Sequence, residues 1–200
     1  MMRALIVGLL LSVLAGCATT PPSKPNDLCA IFQEKSGWYK EAKKSQDKWG
    51  TSIPVMMSTM YQESRFVSDA RPARHYYLGF IPGSRPSNAY GYPQALDDTW
   101  AVYKSQTGHG FADRDDFGDA IDFVGWYYQQ SYQVDGIKRD DAYNLYLSYH
   151  EGHKGFLQQT QSGKVWLKGA AQQVSKRSQQ YSVQLKSCVD DLERAASSWF

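Results

Sequence analysis

Leu167, Ala171, Val174, Ser178, Tyr181, Leu185, Cys188 and Leu192 follow one another at alternating steps of four and three. That period puts all eight on one face of a helix, and a helix with one apolar face lies against a core. So long a stripe has to be covered by other elements, and the rest of the chain reads as helices that could cover it. Asp27 is placed to cap a first helix, which Gly37 interrupts. Trp38 to Trp49 forms a second, ended by Gly50. Ser52 and Pro54 open a third, over about Ile53 to Ser64. Val55, Met56, Met57, Met60 and Tyr61 make this third helix apolar on most sides, so it is expected to be buried. Helix returns near Asp97 to Gln106, then over Phe117 to Val134 behind Asp115 or Asp116, and from Asp140 to about Glu151. No strand ladder is evident. The expected fold is all-α (mainly helical), with one irregular lobe.

That lobe runs from Arg71 to Pro93, where Pro72, Gly79, Pro82, Gly83, Pro86 and Gly91 break the helical pattern. Irregular stretches of this length inside a domain are usually functional or disordered. Arg71, Arg74, Arg85, Tyr76, Tyr77, Tyr90 and Tyr92 suit a binding wall.

The chain opens on Arg3, then an apolar run from Ala4 to Leu14, then Leu14-Ala15-Gly16-Cys17. The run is too short to cross about 30 Å of hydrocarbon and has the layout of a secretory signal. Its end resembles the lipobox of bacterial lipoproteins. The resemblance implies cleavage before Cys17, a diacylglyceride on the Cys17 sulfur and an acylated amino terminus, which together anchor stably. Ala18 in place of Asp implies sorting to the outer membrane, with the protein facing the periplasm. The expected division is a signal peptide over 1–16, lipidated Cys17 with a flexible tether to residue 26, and a domain over 27–200. The alternative is an uncleaved hydrophobic tail.

Two cysteines remain, Cys29 and Cys188. An oxidising compartment is expected to join them, stapling the start of the domain to its end. Two buried free thiols are the alternative. The charges nearly balance, at 22 basic and 20 acidic residues, so no basic stripe points to nucleic acid. Fourteen Tyr and six Trp suit a wet groove that stacks on sugar rings, as well as an ordinary core.

Glu63 ends the buried third helix, in Tyr61-Gln62-Glu63-Ser64-Arg65-Phe66. A carboxyl in apolar company is held protonated toward neutral pH, as a general acid requires. The alternative is a wet face, or a pairing with Arg65 or another arginine. Two more segments follow, Ala89-Tyr90-Gly91-Tyr92-Pro93-Gln94-Ala95-Leu96 with Thr99, and Leu147-Ser148-Tyr149-His150-Glu151-Gly152. With Glu63-Ser64, and in this order, they resemble the lysozyme-like lytic transglycosylases of peptidoglycan. The resemblance runs from about Trp49 to Gly155.

The resemblance implies a lysozyme-like fold and cleavage of the MurNAc–GlcNAc β-1,4 bond without water, giving 1,6-anhydromuramyl ends. It makes Glu63 the sole catalytic acid and base. Ser64 contacts substrate or steadies the site, Gly91 lets backbone approach the sugar, and Gln94 bonds near the scissile sugar. Tyr149 sets its hydroxyl on the Glu63 carboxyl. Tyr92-Pro93 stands where the family has Leu-Met, and His150 and Glu151 where it has Asn and Ala, marking a divergent lipoprotein branch. Partners are peptidoglycan strands and, through the lipid, a membrane; no cofactor is implied. His150 and His153 are three apart, whereas the zinc-protease pattern needs four, so no metal site is assigned. Glu151 is expected at the surface; facing Glu63, it would permit hydrolysis as in goose-type lysozymes. A binding lipoprotein without turnover is the competing class.

Overall fold

The computed structural model describes residues 20–197. Seven helices carry the described residues: α1 Leu28–Glu34, α2 Trp38–Trp49, α3 Ile53–Ser64, α4 Asp97–Thr107, α5 Phe117–Val134, α6 Ala142–Leu157 and α7 Val165–Ser197. The all-α expectation holds. Asp27 caps α1 through a bond from the Ala30 N–H, and Asp116 caps α5 through the Asp119 N–H. Gly37 and Gly50 take left-handed backbone on either side of α2.

Two helix starts differ in detail from the expectation. The Ser52 side chain makes no capping bond; the Ile53 N–H donates instead to Gln46 Oε1 of α2, 2.9 Å away. Asp141, not Asp140, caps α6. This helix also continues beyond Glu151 to Leu157, across a break at Gly152 (φ 73°, ψ 156°) that only glycine adopts readily.

α3 lies at the centre, between α7 on one side and α5 on the other. Every residue from Ile53 to Met60 is buried, which accounts for its lack of a polar face. α7 covers α3, α6 and α1. Of its stripe, Leu185 is half-buried and the other seven residues are buried. At 33 residues α7 is about 50 Å long. A disulfide joins Cys29 of α1 to Cys188 of α7, with Cα atoms 6.1 Å apart.

Of the residues expected to be a loose tether, 20–26 are docked on the body. The Ser23 N–H and hydroxyl both donate to Glu34 Oε2, at 2.8 and 2.6 Å. Lys35 Nζ donates to the Thr20 carbonyl, and Arg177 to Asn26 Oδ1. The Tyr181 hydroxyl donates to the Pro25 carbonyl, and Pro22 is buried. The lipobox and Cys17 lie outside the described residues.

The lobe contains a small ladder that the sequence reading lacked. β1 Tyr76–Tyr77 pairs antiparallel with β2 Ile81–Pro82. Two residues per strand are too few to show an alternating pattern.

Candidate active site

Glu63 sits in the last turn of α3. Arg65 and Phe66 end the helix with positive φ, 56° and 62°. Such backbone is unfavourable for bulky residues and persists where surrounding packing enforces it. Here Phe66 is fully buried, its ring 5.8 Å from Trp38 and 5.7 Å from Tyr61. Arg65 turns onto the Tyr61 ring, 4.4 Å from its centroid, and Arg177 stacks on the same ring at 3.6 Å. The arginines that could have neutralised Glu63 are thus drawn away from it.

The carboxyl is left among tyrosines. Burial pushes its pKa up to about 7, and the Tyr146 hydroxyl, directed at it, opposes the rise. One oxygen, Oε1, is enclosed with no hydrogen-bond partner among the described residues. The residue as a whole keeps some exposure, because it opens on a cleft of about 390 Å³. Burial first, and then the charge of Glu63, raise the pKa of Tyr146, Tyr149 and Tyr128. Tyr128 is fixed beneath by a 2.5 Å bond to Thr59.

Glu63, Phe123 and Tyr127 line the cleft together with Gln94 and Thr99 from the lobe side, and Tyr149, His150 and Glu151 from α6. Sequence reading therefore found Glu63, Gln94, Tyr149 and His150 in one place. The hydroxyl partner of Glu63 is Tyr146 and not Tyr149. A phenol has one proton to donate, and Tyr149 donates its own to the Pro93 carbonyl at 2.6 Å. Tyr146, three residues earlier on the same helical face, serves Glu63 instead. Tyr149 thereby ties the Gly91–Gln94 turn to α6. Tyr146 could have been found by asking which tyrosine shares the face of Tyr149.

Tyr92 and Gly91 do not face substrate, and Ser64 steadies the site without contacting substrate. Tyr92 is 1% exposed and packs edge-on against Trp38 and Phe117, so it serves the core and not a substrate. Ser64 is buried, and its hydroxyl donates to the Met60 carbonyl, closing the helix end. Gly91 is buried against protein rather than sugar. Its N–H donates to the Ala70 carbonyl, and a Cβ there would lie 2.1 Å from the Arg114 carbonyl oxygen. We expect Gly91→Ala to cost about 3 kcal/mol or more in denaturant unfolding, since clash and positive φ act together. A change within about 0.5 kcal/mol would show that this turn yields.

Gln94 spends both amide protons on the Ala70 and Gly91 carbonyls, each at 2.8 Å. Its carbonyl oxygen is the part of the amide left to meet a ligand. Glu151, expected at the surface, is enclosed in the cleft wall with its side chain 4% exposed. Burial raises its pKa, but Lys164, Thr160 and His150 outweigh that, and the net direction is down. Lys164 Nζ reaches both oxygens, at 2.7 and 2.8 Å; Thr160 donates to Oε2, and His150 Nδ1 lies 3.2 Å from Oε1. Lys164 and Thr160 thus occupy three of the four acceptor positions of the carboxylate, and His150 Nδ1 stands at the fourth. His153 turns elsewhere, its Nδ1 2.8 Å from Asp135 Oδ2.

No curated protein and no solved structure matches the chain. A family model described as Transglycosylase SLT domain matches residues 5–188, most of its length. The helical fold, the order of the three motifs and the single uncompensated carboxyl at the end of α3 agree with that match, and the chain belongs to the transglycosylase SLT family.

Proposed function

We propose that this protein is a peptidoglycan lytic transglycosylase with Glu63 as acid and then base. One observation carries the reading: a carboxyl facing a cleft, its pKa raised to about 7 by burial, with tyrosine hydroxyls around it and no ion-pair partner among the described residues. Protonated Glu63 gives its proton to the oxygen linking MurNAc C1 to GlcNAc, and that C–O bond breaks. The carboxylate then takes the proton of the muramyl 6-hydroxyl as its oxygen closes on C1. No water enters, and the acid is regenerated. The substrate's N-acetyl group can stabilise the positive charge that develops at C1, so a second enzyme carboxylate is not required.

The second reading is hydrolysis with Glu151 as base, favoured by two carboxyls of opposite shift in one cleft. Against it, Lys164 and Thr160 engage both oxygens of Glu151 and hold it as a paired carboxylate, which weakens it as a base. Digestion of purified sacculi separates the readings by fragment mass. Anhydro ends, one water lighter than reducing ends, support the lyase. Reducing ends overturn it, and intact sacculi that retain the protein indicate a binder.

The pH profile is a further expected result. The ordinary carboxyl value is 4.5 and that of Glu63 about 7, so the proton to be donated is present below pH 7 and lost above it. Activity should fall as pH rises through about 7. Tyr146→Phe removes a group that favours the charged form, so the falling limb should move to higher pH. A limb that stays in place would remove Tyr146 from the site.

We also propose that Cys17 carries the lipid and holds the protein at the outer membrane. With residues 20–26 docked, the three residues from Cys17 to Thr20 reach at most about 11 Å. The domain then rests against its membrane instead of ranging from it.

A further inference from the structure

The tip of the β1–β2 hairpin is built against the usual rules for a solvent-facing turn. Tyr77-Leu78-Gly79-Phe80 closes with a bond from the Phe80 N–H to the Tyr77 carbonyl at 3.2 Å. Its two central residues have φ of 52° and 79°, as in a type I′ turn. Such turns favour Asn, Asp or Gly at the first central position. Here leucine occupies it, held in left-handed backbone and 82% exposed. Phe80 is 73% exposed, and Tyr76, Tyr77 and Ile81 are exposed beside them. Scattered exposed apolar residues are ordinary, but a contiguous patch marks a contact surface.

Between its ends the same lobe is cationic, while Asp69 and Asp115 flank its root, where Tyr90 bonds Asp115 and Arg71 stacks on Tyr90. Arg71, Arg74 and Arg85 lie within residues 71–88, which contain no Asp or Glu. Arg74 and Arg85 are tied to the Gly83 and Pro72 carbonyls, so they brace the hairpin while keeping their charge. Aliphatic and aromatic residues at a tip, with arginines behind them, match the apolar-then-anionic layering of a phospholipid surface. A sugar chain offers no counterpart for Leu78 or Ile81. The lobe root also connects to the docked segment 20–26: Ala70 bonds Gly91, Tyr92 packs on Trp38, and Trp38 follows Lys35, which holds Thr20.

We propose that this hairpin is a membrane contact, its tip inserting among the acyl chains of an anionic phospholipid surface while the three arginines meet the headgroups. The lobe ends in the cleft wall at Ser87 and Ala89, so insertion would set the orientation of the cleft relative to the bilayer. The proposal does not depend on the activity assigned to Glu63.

The test uses the full chain, with Leu78→Cys labelled by a polarity-sensitive fluorophore at the introduced thiol and the label position checked by peptide mass. It is reconstituted in phosphatidylethanolamine vesicles with and without phosphatidylglycerol. We expect a blue shift and quenching by brominated acyl chains, strongest with phosphatidylglycerol and weakened by salt. Phe80→Asp in the same chain should reduce the inserted population roughly tenfold or more, while the spectrum of the folded protein in solution stays unchanged. A probe that remains in water with both vesicles overturns the proposal. So does a shift produced by purified peptidoglycan and not by vesicles, which would assign the lobe to the glycan. Equal insertion with and without phosphatidylglycerol overturns the anionic-lipid assignment.

Discussion

Glu63→Gln should bind wall glycan and release no anhydromuropeptides above background. The substitution keeps the shape of the side chain and removes the proton that must leave and return. A positioned acid contributes about 10²–10⁴-fold, and here one group serves both steps, so the loss should lie at the upper end of that range. The same variant should be no less stable than the parent. In the unfolded chain Glu63 titrates near 4.5, and in the folded chain near 7. Below pH 4.5 both states hold the proton and burial carries no ionic penalty. As pH rises from there to about 7 the unfolded state ionises first, and the folded state loses relative stability, on the order of 3 kcal/mol. Glutamine has no such loss. Melting temperatures of the two proteins should therefore coincide near pH 4 and separate by pH 8, with the variant higher. Glu151→Gln, assayed alongside, should retain most activity, since that carboxylate is engaged with Lys164 and Thr160. An active Glu63 variant beside an inactive Glu151 variant would invert the assignment.

Removal of the Cys29–Cys188 bridge should cost about 4–5 kcal/mol, the value for closing a very long loop in the unfolded chain. The two residues are 159 apart, so nearly the whole domain lies inside that loop. The bridge also holds α1 to α7 beside the bonds that dock residues 20–26, from Tyr181 to Pro25 and from Arg177 and Gln184 to Asn26. Guanidinium unfolding of the Cys29→Ala/Cys188→Ala protein against the oxidised parent measures the difference. A loss under about 1 kcal/mol would mean that packing alone restrains both termini in the folded and unfolded chains. Two titratable thiols at these positions in denatured, oxidised protein would show that the bridge does not form.

Local rules carried much of the fold. A cap, a left-handed glycine or a 3.6-residue stripe depends on neighbours a few positions away, so α1, α2, α5 and α7 were legible at Asp27, Gly37, Gly50, Asp116 and the Leu167–Leu192 stripe. Glu63 was legible for the same reason, as an acid at the end of a helix apolar on most sides, although a wet face or an arginine partner stayed open until Arg65 and Arg177 were seen on Tyr61. The pairing of Cys29 with Cys188 followed from counting, since Cys17 already had another assignment.

Contacts between distant segments decided the remainder. Tyr146 and Tyr149 share a face of α6, and only the docking of the 91–95 turn determines that Pro93 takes the Tyr149 proton and leaves Tyr146 to Glu63. Gly91 is glycine because the Arg114 backbone passes within touching distance, 23 positions along the chain. Glu151 is enclosed because the segment before α7 folds back and brings Thr160 and Lys164 to it. The sequence by itself determined which helices form and that Glu63 is carried on a buried one, since both are written in short-range pattern and polarity. The tertiary structure alone decided which groups touch that carboxyl, because hydrogen-bond partners are set by ångström-scale approach between segments whose spacing no local pattern encodes.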